Sequence, residues 1–261
     1  MIIVVKIGGA AIEDAPTLRK CARAIAALAQ DGHRVVVVHG GGSALTRVLK
    51  QLGKQSEFIG GLRVTDAETR DVALMVLGGM VNKKLVAAIQ SAGMPALGFC
   101  GGDGMTFRAR RKHIRGNDVG FVGEICFAEP CWIEALWQQG GIPVLASLAL
   151  GADGEYYNVN ADEMAGACAA ACHANALIFL TDVPGVKDAE GAVIPWLSTK
   201  QAQDMVDGSI VSGGMLPKLE ACKQALKQGV GRVRMLPAAE AEALPQFYLT
   251  KLNCGTEVTC A

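Results

Sequence analysis

The stretch Ile2–Ala11, IIVVKIGGAA, constrains this chain more than any other. An apolar run reads as a buried strand, Lys6 interrupts it near its end, and Gly8 and Gly9 follow at once. A charge on an apolar strand costs free energy unless something binds it. Paired glycines let backbone N–H groups approach an anion closely. A strand that runs into a Gly-rich turn and then a helix is a common phosphate site in α/β sheets. A surface lysine beside a turn would give the same short pattern, so this stretch alone does not decide. Val35–Ser43, VVVVHGGGS, repeats the device. Two parallel strands ending in adjacent Gly-rich turns would place two anion-binding loops beyond the carboxyl ends of one sheet.

A chain of 261 residues, 51% of them apolar, can bury a large α/β core or two modest lobes. Its formal net charge of zero argues against nucleic acid or an anionic membrane as the main partner. The nine cysteines form no framework and no CxxC pair. Cys168 and Cys172 share a helical face, but nothing beside them suggests zinc. Free thiols of a reducing compartment are the plain reading. No secretory pattern precedes the strand that begins at Ile2, and no apolar run reaches the ~20 residues of a membrane span. The expectation is a cytoplasmic protein.

Taken in order, the chain alternates strands and helices. Asp14 can cap a helix with Pro16 in its first turn, and Gly32 stops it. Ser43 opens a second helix through Leu52. This β-α-β-α start is the pattern of a mainly parallel sheet. Thr65 and Glu68 can form a capping box for a long helix from Asp66 to about Gln90. Its Met75, Gly78, Gly79 and Met80 suit either core packing or a close contact across a dimer. A strand over Ala96–Cys100 follows, then a basic run from Arg108 to Arg115. Alternation and the Gly116-Asn117-Asp118 turn make that run one arm of a hairpin returning over Phe121–Ile125. It lacks the aromatic residues of a nucleic-acid surface. A helix over Trp132–Gln139 and strands over Ile142–Ser147 and Ala176–Leu180 continue the alternation. A hairpin over Glu190-Gly191, a helix from Thr199, and a helix from Ser212-Gly213-Gly214 to Gln228 come next. Arg232–Ala261 reads as short strands and a connector. The best lobe boundary lies near Asn175.

Three polar features are harder to explain as structure alone. Arg63, between apolar neighbours and just after Gly60 and Gly61, suits bidentate recognition of a carboxylate or is an ordinary loop arginine. Asn160 and Glu163 can form a capping box for a helix over Ala161–Ala174, which leaves Asn158 and Asp162 without a role. Lys218 sits near a helix N-terminus, the wrong end for a cation unless an anion shares the site. There is no GxxxxGK[ST], no GxGxxG after a strand and no HExxH. Gly41 to Leu45 fails the nucleophile-elbow pattern at its last position.

In order along the whole chain, six motifs resemble those of the amino acid kinase family. They are KIGG at Lys6–Gly9, HGGG at His39–Gly42, GLRVT at Gly61–Thr65, NVNAD at Asn158–Asp162, TDVPG at Thr181–Gly185 and GGMLPKL at Gly213–Leu219. The resemblance implies a three-layer α/β/α sandwich with a mainly parallel central sheet. It implies an N-terminal lobe over 1–175 that binds an acyl amino acid and forms a homodimer, and an ATP-binding C-terminal lobe over 176–261. By the same resemblance Lys6 and Lys218 flank the transferred phosphoryl group, and Asp162 orients both. Gly8, Gly9, Gly41 and Gly42 would give N–H groups to phosphate oxygens, with Gly41 and Gly42 also bordering the substrate. Arg63 would hold a carboxylate of the substrate, and Asn158 and Asn160 its amide and carboxylate groups. Asp182 would lie where the C-terminal lobe approaches the nucleotide.

The implied reaction is ATP-dependent phosphorylation of the side-chain carboxylate of N-acetyl-L-glutamate, in arginine biosynthesis. The attacking carboxylate is already ionised at pH 7, so no general base is needed. Magnesium would ride on the ATP phosphates rather than on protein ligands. The same chemistry on N-succinylglutamate or a carrier-linked aminoadipate is an alternative, as is a non-catalytic sensor on this fold. Arginine-regulated members of the family carry an extra N-terminal helix. With the first strand beginning at Ile2, the expectation is a homodimer that arginine does not inhibit.

Overall fold

Strands β1 (Ile2–Ile7) and β2 (Arg34–His39) lie side by side and parallel, with Lys6 opposite Val38. Parallel strands are covered on both faces, so they read as continuous apolar runs, which is why this pair was legible. The computed structural model describes residues 1–114, 117–211, 213–246 and 254–260. After the small hairpin β3 (Phe58–Ile59) and β4 (Leu62–Arg63) come β5 (Ala96–Cys100), β6 (Phe107–Ile114) and β7 (Asn117–Ala128). Next are β8 (Ile142–Ala146), β9 (Leu148–Gly151), β10 (Tyr156–Val159) and β11 (Ala176–Thr181). The last are β12 (Trp196–Ser198), β13 (Val233–Pro237) and β14 (Thr256–Thr259).

The main sheet has eight strands in the order β12-β14-β13-β11-β1-β2-β8-β5. All pairings in it are parallel except β13 with β14. The sheet runs unbroken across residue 175, because β1 pairs directly with β11. Strands β10, β7, β6 and β9 close on themselves as a small barrel beside it.

The helices sort to the two faces. On one side α2 (Ala15–Gln30), α3 (Gly42–Gln51) and the long helix over 67–91 pack on Ile3, Val5 and Ile7. On the other side α7 (Ala161–Ala171), α8 (Thr199–Asp207) and α9 (Met215–Lys227) pack on Val4, Leu177 and Phe179. This is the expected three-layer sandwich. Strand side chains alternate, so Lys6 shares the face of Val4 and looks toward α7 and α9. The remaining helices are α1 (Gly9–Glu13), which the sequence reading missed, and α6 (Cys131–Gln138).

The long helix has three parts: α4 (Ala67–Ala73), a π-helical stretch over Leu74–Val81, and α5 (Asn82–Ser91). The helix over Ala67–Ser91 is long enough to cross a membrane, and an 18-residue window within it reaches a mean hydropathy of 1.7. In this fold Val76, Leu77, Leu85 and Ile89 are buried against the sheet. Its cap also differs from expectation. Asp66, not Thr65, is the cap, its Oδ1 accepting from Thr69 N in the first turn at 2.9 Å. Thr65 is buried and donates to the Arg63 carbonyl at 2.8 Å, and Glu68 pairs with Lys54 at 2.7 Å. Thr65 is occupied because β4 runs directly into the helix, and the next side chain takes the cap.

The expected hairpin over Glu190-Gly191 is only a single antiparallel bridge between Lys187 and Val193. Of the expected β6–β7 turn, Arg115 and Gly116 lie outside the described residues, as do Ser212 before α9 and residues 247–253 of the tail.

Candidate active site

Strand β1 brings Lys6 up on the α7 side, and the N-terminus of α7 brings Asp162 down to it. Asn160 caps that helix, its Oδ1 accepting from Asp162 N at 2.8 Å and Glu163 N at 3.2 Å. The cap fixes Asp162 in the first turn. Lys6 Nζ then lies 2.7 Å from Asp162 Oδ1, with side chains 8% and 7% exposed. Lys218, in the first turn of α9, places Nζ 3.7 Å from Asp162 Oδ2 and donates to the Gly214 carbonyl at 3.3 Å. Burial pushes the Asp162 carboxyl up, but the charges of Lys6 and Lys218 outweigh it and hold the group below 3.8.

The two ammonium groups share the one Asp162 carboxylate and face a cleft of about 200 Å³. Gly8, Gly9, Thr181 and Asp182 line it with the two lysines. Gly8 donates to the Leu180 carbonyl at 3.1 Å, which pins the first glycine turn to β11. The two glycine turns touch. A Cβ on Gly9 would sit 3.1 Å from Ser43 Oγ and 3.3 Å from Gly42 N. The two anion-binding loops read from the sequence are therefore neighbours on one sheet edge.

A second pocket, of about 160 Å³, opens on the other side of that contact. Gly41, Gly42, Arg63, Asn158 and Asn160 line it. Arg63 is 7% exposed. Its Nη2 donates to the Gly42 carbonyl at 3.1 Å and to Thr46 Oγ1 at 2.7 Å, and its Nη1 donates to Ser56 Oγ. The Phe58 ring lies 4.7 Å from its guanidinium carbon. Among the described residues no carboxylate pairs with it. Asn158 makes a long contact, 3.4 Å, to Thr65 Oγ1. Asn160 has its carbonyl engaged by the cap, so a ligand would be met through its NH2.

Each expected site residue but Asp162 thus lines one of these two pockets; Asp162, bound to the lysines, lines a third of about 580 Å³ with Asn160 and Glu163. Glu163 departs from expectation. It does not close a capping box; it accepts from Lys112 Nζ at 2.6 Å and from Ile125 N at 3.3 Å. Those bonds tie the β6–β7 hairpin to the helix that carries Asp162. The sequence reading passed over Phe58, Leu62, Leu77 and Val122, which line the second pocket. Leu62 lies inside the GLRVT motif and could have been found there. Val122 carries no such signal, because alternation in a hairpin does not say what its faces meet.

Residues 1–236 match the amino acid kinase family. The chain belongs to that family. Within the amino acid kinases, it is 60% identical over 258 residues to the acetylglutamate kinase of Acidobacterium capsulatum, covering 99% of each chain. It is 57% identical to the acetylglutamate kinase of Koribacter versatilis, covering 99% of this chain and 98% of that one. Among solved structures, the N-acetylglutamate synthase of Neisseria gonorrhoeae in complex with coenzyme A and N-acetyl-glutamate matches with a TM-score of 0.89 at 26% identity. That match covers all of this chain and 59% of the synthase. The amino acid kinase fold therefore also serves a protein named for a different reaction, and the fold alone does not fix the chemistry.

Proposed function

We propose that this chain transfers the γ-phosphoryl group of ATP to the side-chain carboxylate of N-acetyl-L-glutamate, giving N-acetylglutamyl 5-phosphate in arginine biosynthesis. The observation that carries the reading is Arg63, a buried guanidinium with no acidic partner among the described residues, facing a small pocket beside two lysines. Buried charges are paired, so the missing partner is sought in the ligand. Identity of 60% to an acetylglutamate kinase points the same way.

In this reading Arg63 grips the α-carboxylate, Asn158 and Asn160 meet the amide and carboxylate groups, and the side-chain carboxylate points at the glycine turns. A carboxylate oxygen forms a bond to the γ-phosphorus while the bond to the bridging oxygen breaks, and ADP leaves with that electron pair. Little covalent help is needed; positioning and charge neutralisation dominate. Lys6 and Lys218 neutralise the charge spread over the phosphoryl oxygens. Asp162 keeps the two ammonium groups aimed. Gly8, Gly9, Gly41 and Gly42 offer N–H groups to the phosphates, and Asp182 borders the nucleotide.

The first cleft suits ATP phosphates through its two lysines and its glycine turn. Mg2+ would ride on the ATP phosphates. Residues 1–175 serve the amino acid and residues 176–261 the nucleotide, with β1 and β11 as the seam. The homodimer reading rests on exposed apolar side chains: Met75 and Met80 on the long helix, and Leu97 on the edge strand β5. All nine cysteines are unpaired, which suits the reducing cytoplasm.

The test is ADP release with ATP and a panel of acids. N-acetyl-L-glutamate is expected to give the highest kcat/KM, above N-succinylglutamate and a carrier-linked aminoadipate. Another acid winning would reassign the pocket. No ADP release with any acid, despite measurable nucleotide binding, would support a sensor instead.

A further inference from the structure

His39 and Asn82 form a fully buried polar pair beneath the second glycine turn. Asn82 opens α5, directly after the π-helical stretch. Its Nδ2 lies 3.0 Å from the Val144 carbonyl on β8 and 3.0 Å from His39 Nε2. Its Oδ1 accepts from Lys83 Nζ at 3.1 Å. His39 Nδ1 in turn lies 2.8 Å from the Gly40 carbonyl.

The donors and acceptors in this chain allow one assignment. A backbone carbonyl only accepts, so the Asn82 atom facing Val144 must be the NH2. The same NH2 faces His39 Nε2, which must then accept. The proton of the neutral ring is left on Nδ1, where it donates to the Gly40 carbonyl. Gly40 C=O and Gly41 N–H belong to one planar trans amide, so holding the oxygen against His39 turns the Gly41 N–H away from the ring. Gly40 and Gly41 both line the second pocket.

We propose that Asn82 is a positioning residue that acts through His39, fixing the imidazole as the Nδ1–H form so that the ring orients the Gly40–Gly41 amide toward the bound acyl amino acid. The packing around the pair is built for it. A Cβ on Gly98 would lie 1.7 Å from Asn82 Oδ1, so the neighbouring strand leaves room for the amide only because that residue is glycine. Leu77 and Val81 of the π-helical stretch close on Gly41, where a Cβ would come within 2.7 Å and 3.2 Å of them.

The ligand half of this inference rests on the function proposed above; the tautomer half does not. The chain has four histidines, so nitrogen-15 NMR of histidine-labelled protein is tractable, with His39→Gln identifying the signal. The unaltered protein is expected to show His39 neutral and protonated on Nδ1. A His39 signal protonated on Nε2 would overturn the relay, whatever the enzyme's substrate proves to be. Asn82→Asp keeps the shape but removes the donor to Nε2, and is expected to move the His39 proton to Nε2. In steady-state assays the same variant should raise KM for N-acetyl-L-glutamate at least tenfold while KM for ATP stays within about twofold. A lowered melting temperature with both KM values unchanged would leave Asn82 a purely structural residue and overturn the proposal. If the unaltered protein turns over no acid, the functional reading fails, and the NMR result still decides the relay.

Discussion

Lys6 Nζ stands 2.7 Å from Asp162 Oδ1 while Lys218 Nζ stands 3.7 Å from Asp162 Oδ2, so one carboxylate holds the closer lysine tightly and the other loosely. Lys218 is also the more exposed, at 19% against 8%. The looser contact is the one a phosphoryl group can take over.

Lys6→Ala and Lys218→Ala should each lower kcat by at least ~10² with a smaller rise in KM, because both charges act on the transition state. Near-normal kcat in either folded variant would remove it from this role. Asp162 is held below 3.8, burial opposing and the two lysines prevailing. Its contribution to stability is therefore complete above the ordinary carboxylate range and is lost only as pH falls through the depressed value. The acidic limb of the kcat profile should show no Asp162 titration between about pH 5 and 8.

Arg63→Lys should not behave conservatively. Lysine keeps the charge but cannot hold Gly42, Thr46 and Ser56 while also presenting a fork to a carboxylate. The expected result is a large rise in KM for the amino acid with KM for ATP nearly unchanged. A shift confined to ATP would assign Arg63 to the nucleotide.

Gly42 and Gly9 should respond differently to valine. A Cβ on Gly42 meets nothing within 4 Å, so Gly42→Val should fold normally and lose ligand binding by filling the approach. A Cβ on Gly9 would press on Gly42 N at 3.3 Å, so Gly9→Val should also lower the melting temperature by separating the two turns. Calorimetry with ATP and thermal unfolding together check both; normal ATP affinity in both folded variants would contradict the cradle.

His39 should make stability fall in mild acid. Burial is the main reason its pKa is lowered from 6.5 to about 4. A depressed folded pKa means the unfolded chain takes up the proton first. The stabilisation is whole above about pH 6.5 and drains away as pH falls toward 4, by roughly 3 kcal/mol in total. Unfolding of His39→Gln across that window should show a shallower pH slope than the unaltered protein. Equal slopes would mean that His39 is not the group responsible.

Met75→Glu should convert a dimer to monomers in sedimentation, since a charge placed on a 63% exposed apolar position of the long helix would be buried by a partner. An unchanged sedimentation coefficient would move the interface elsewhere or remove it.

The fold was legible where burial is symmetric or punctuation is strong. Continuous apolar runs announced β1, β2 and β11, and Asp14 marked its helix by capping it, with Thr17 N at 2.9 Å. The candidate site drew notice in part because Lys6 and Arg63 are charges in apolar surroundings, an anomaly that asks for a partner. Glu163 was misread because a capping box and a tie to another element begin from the same residue spacing, and only the fold brings Lys112 within reach. His39 and Asn82 are 43 positions apart, and nothing local joins them. The π-helical stretch was invisible, since its i→i+5 bonds leave an apolar pattern close to that of an ordinary helix.

That stretch makes the length of the helix matter as well as its composition. A π-helical segment accommodates roughly one residue more than an α-helix spanning the same rise. Deleting one residue between Leu74 and Val81 would therefore favour regular α-helix and improve local hydrogen bonding. Because the stretch already absorbs that extra residue, its loss would leave α4 and α5 close to their present phase on the sheet. Asn82 would stay beside His39, and the change would fall on the stretch itself, where Leu77 and Val81 now close on Gly41. The extra residue is a local slack in the helix, so a gap is absorbed there, whereas the same gap inside α5 would turn the rest of that helix by about 100°.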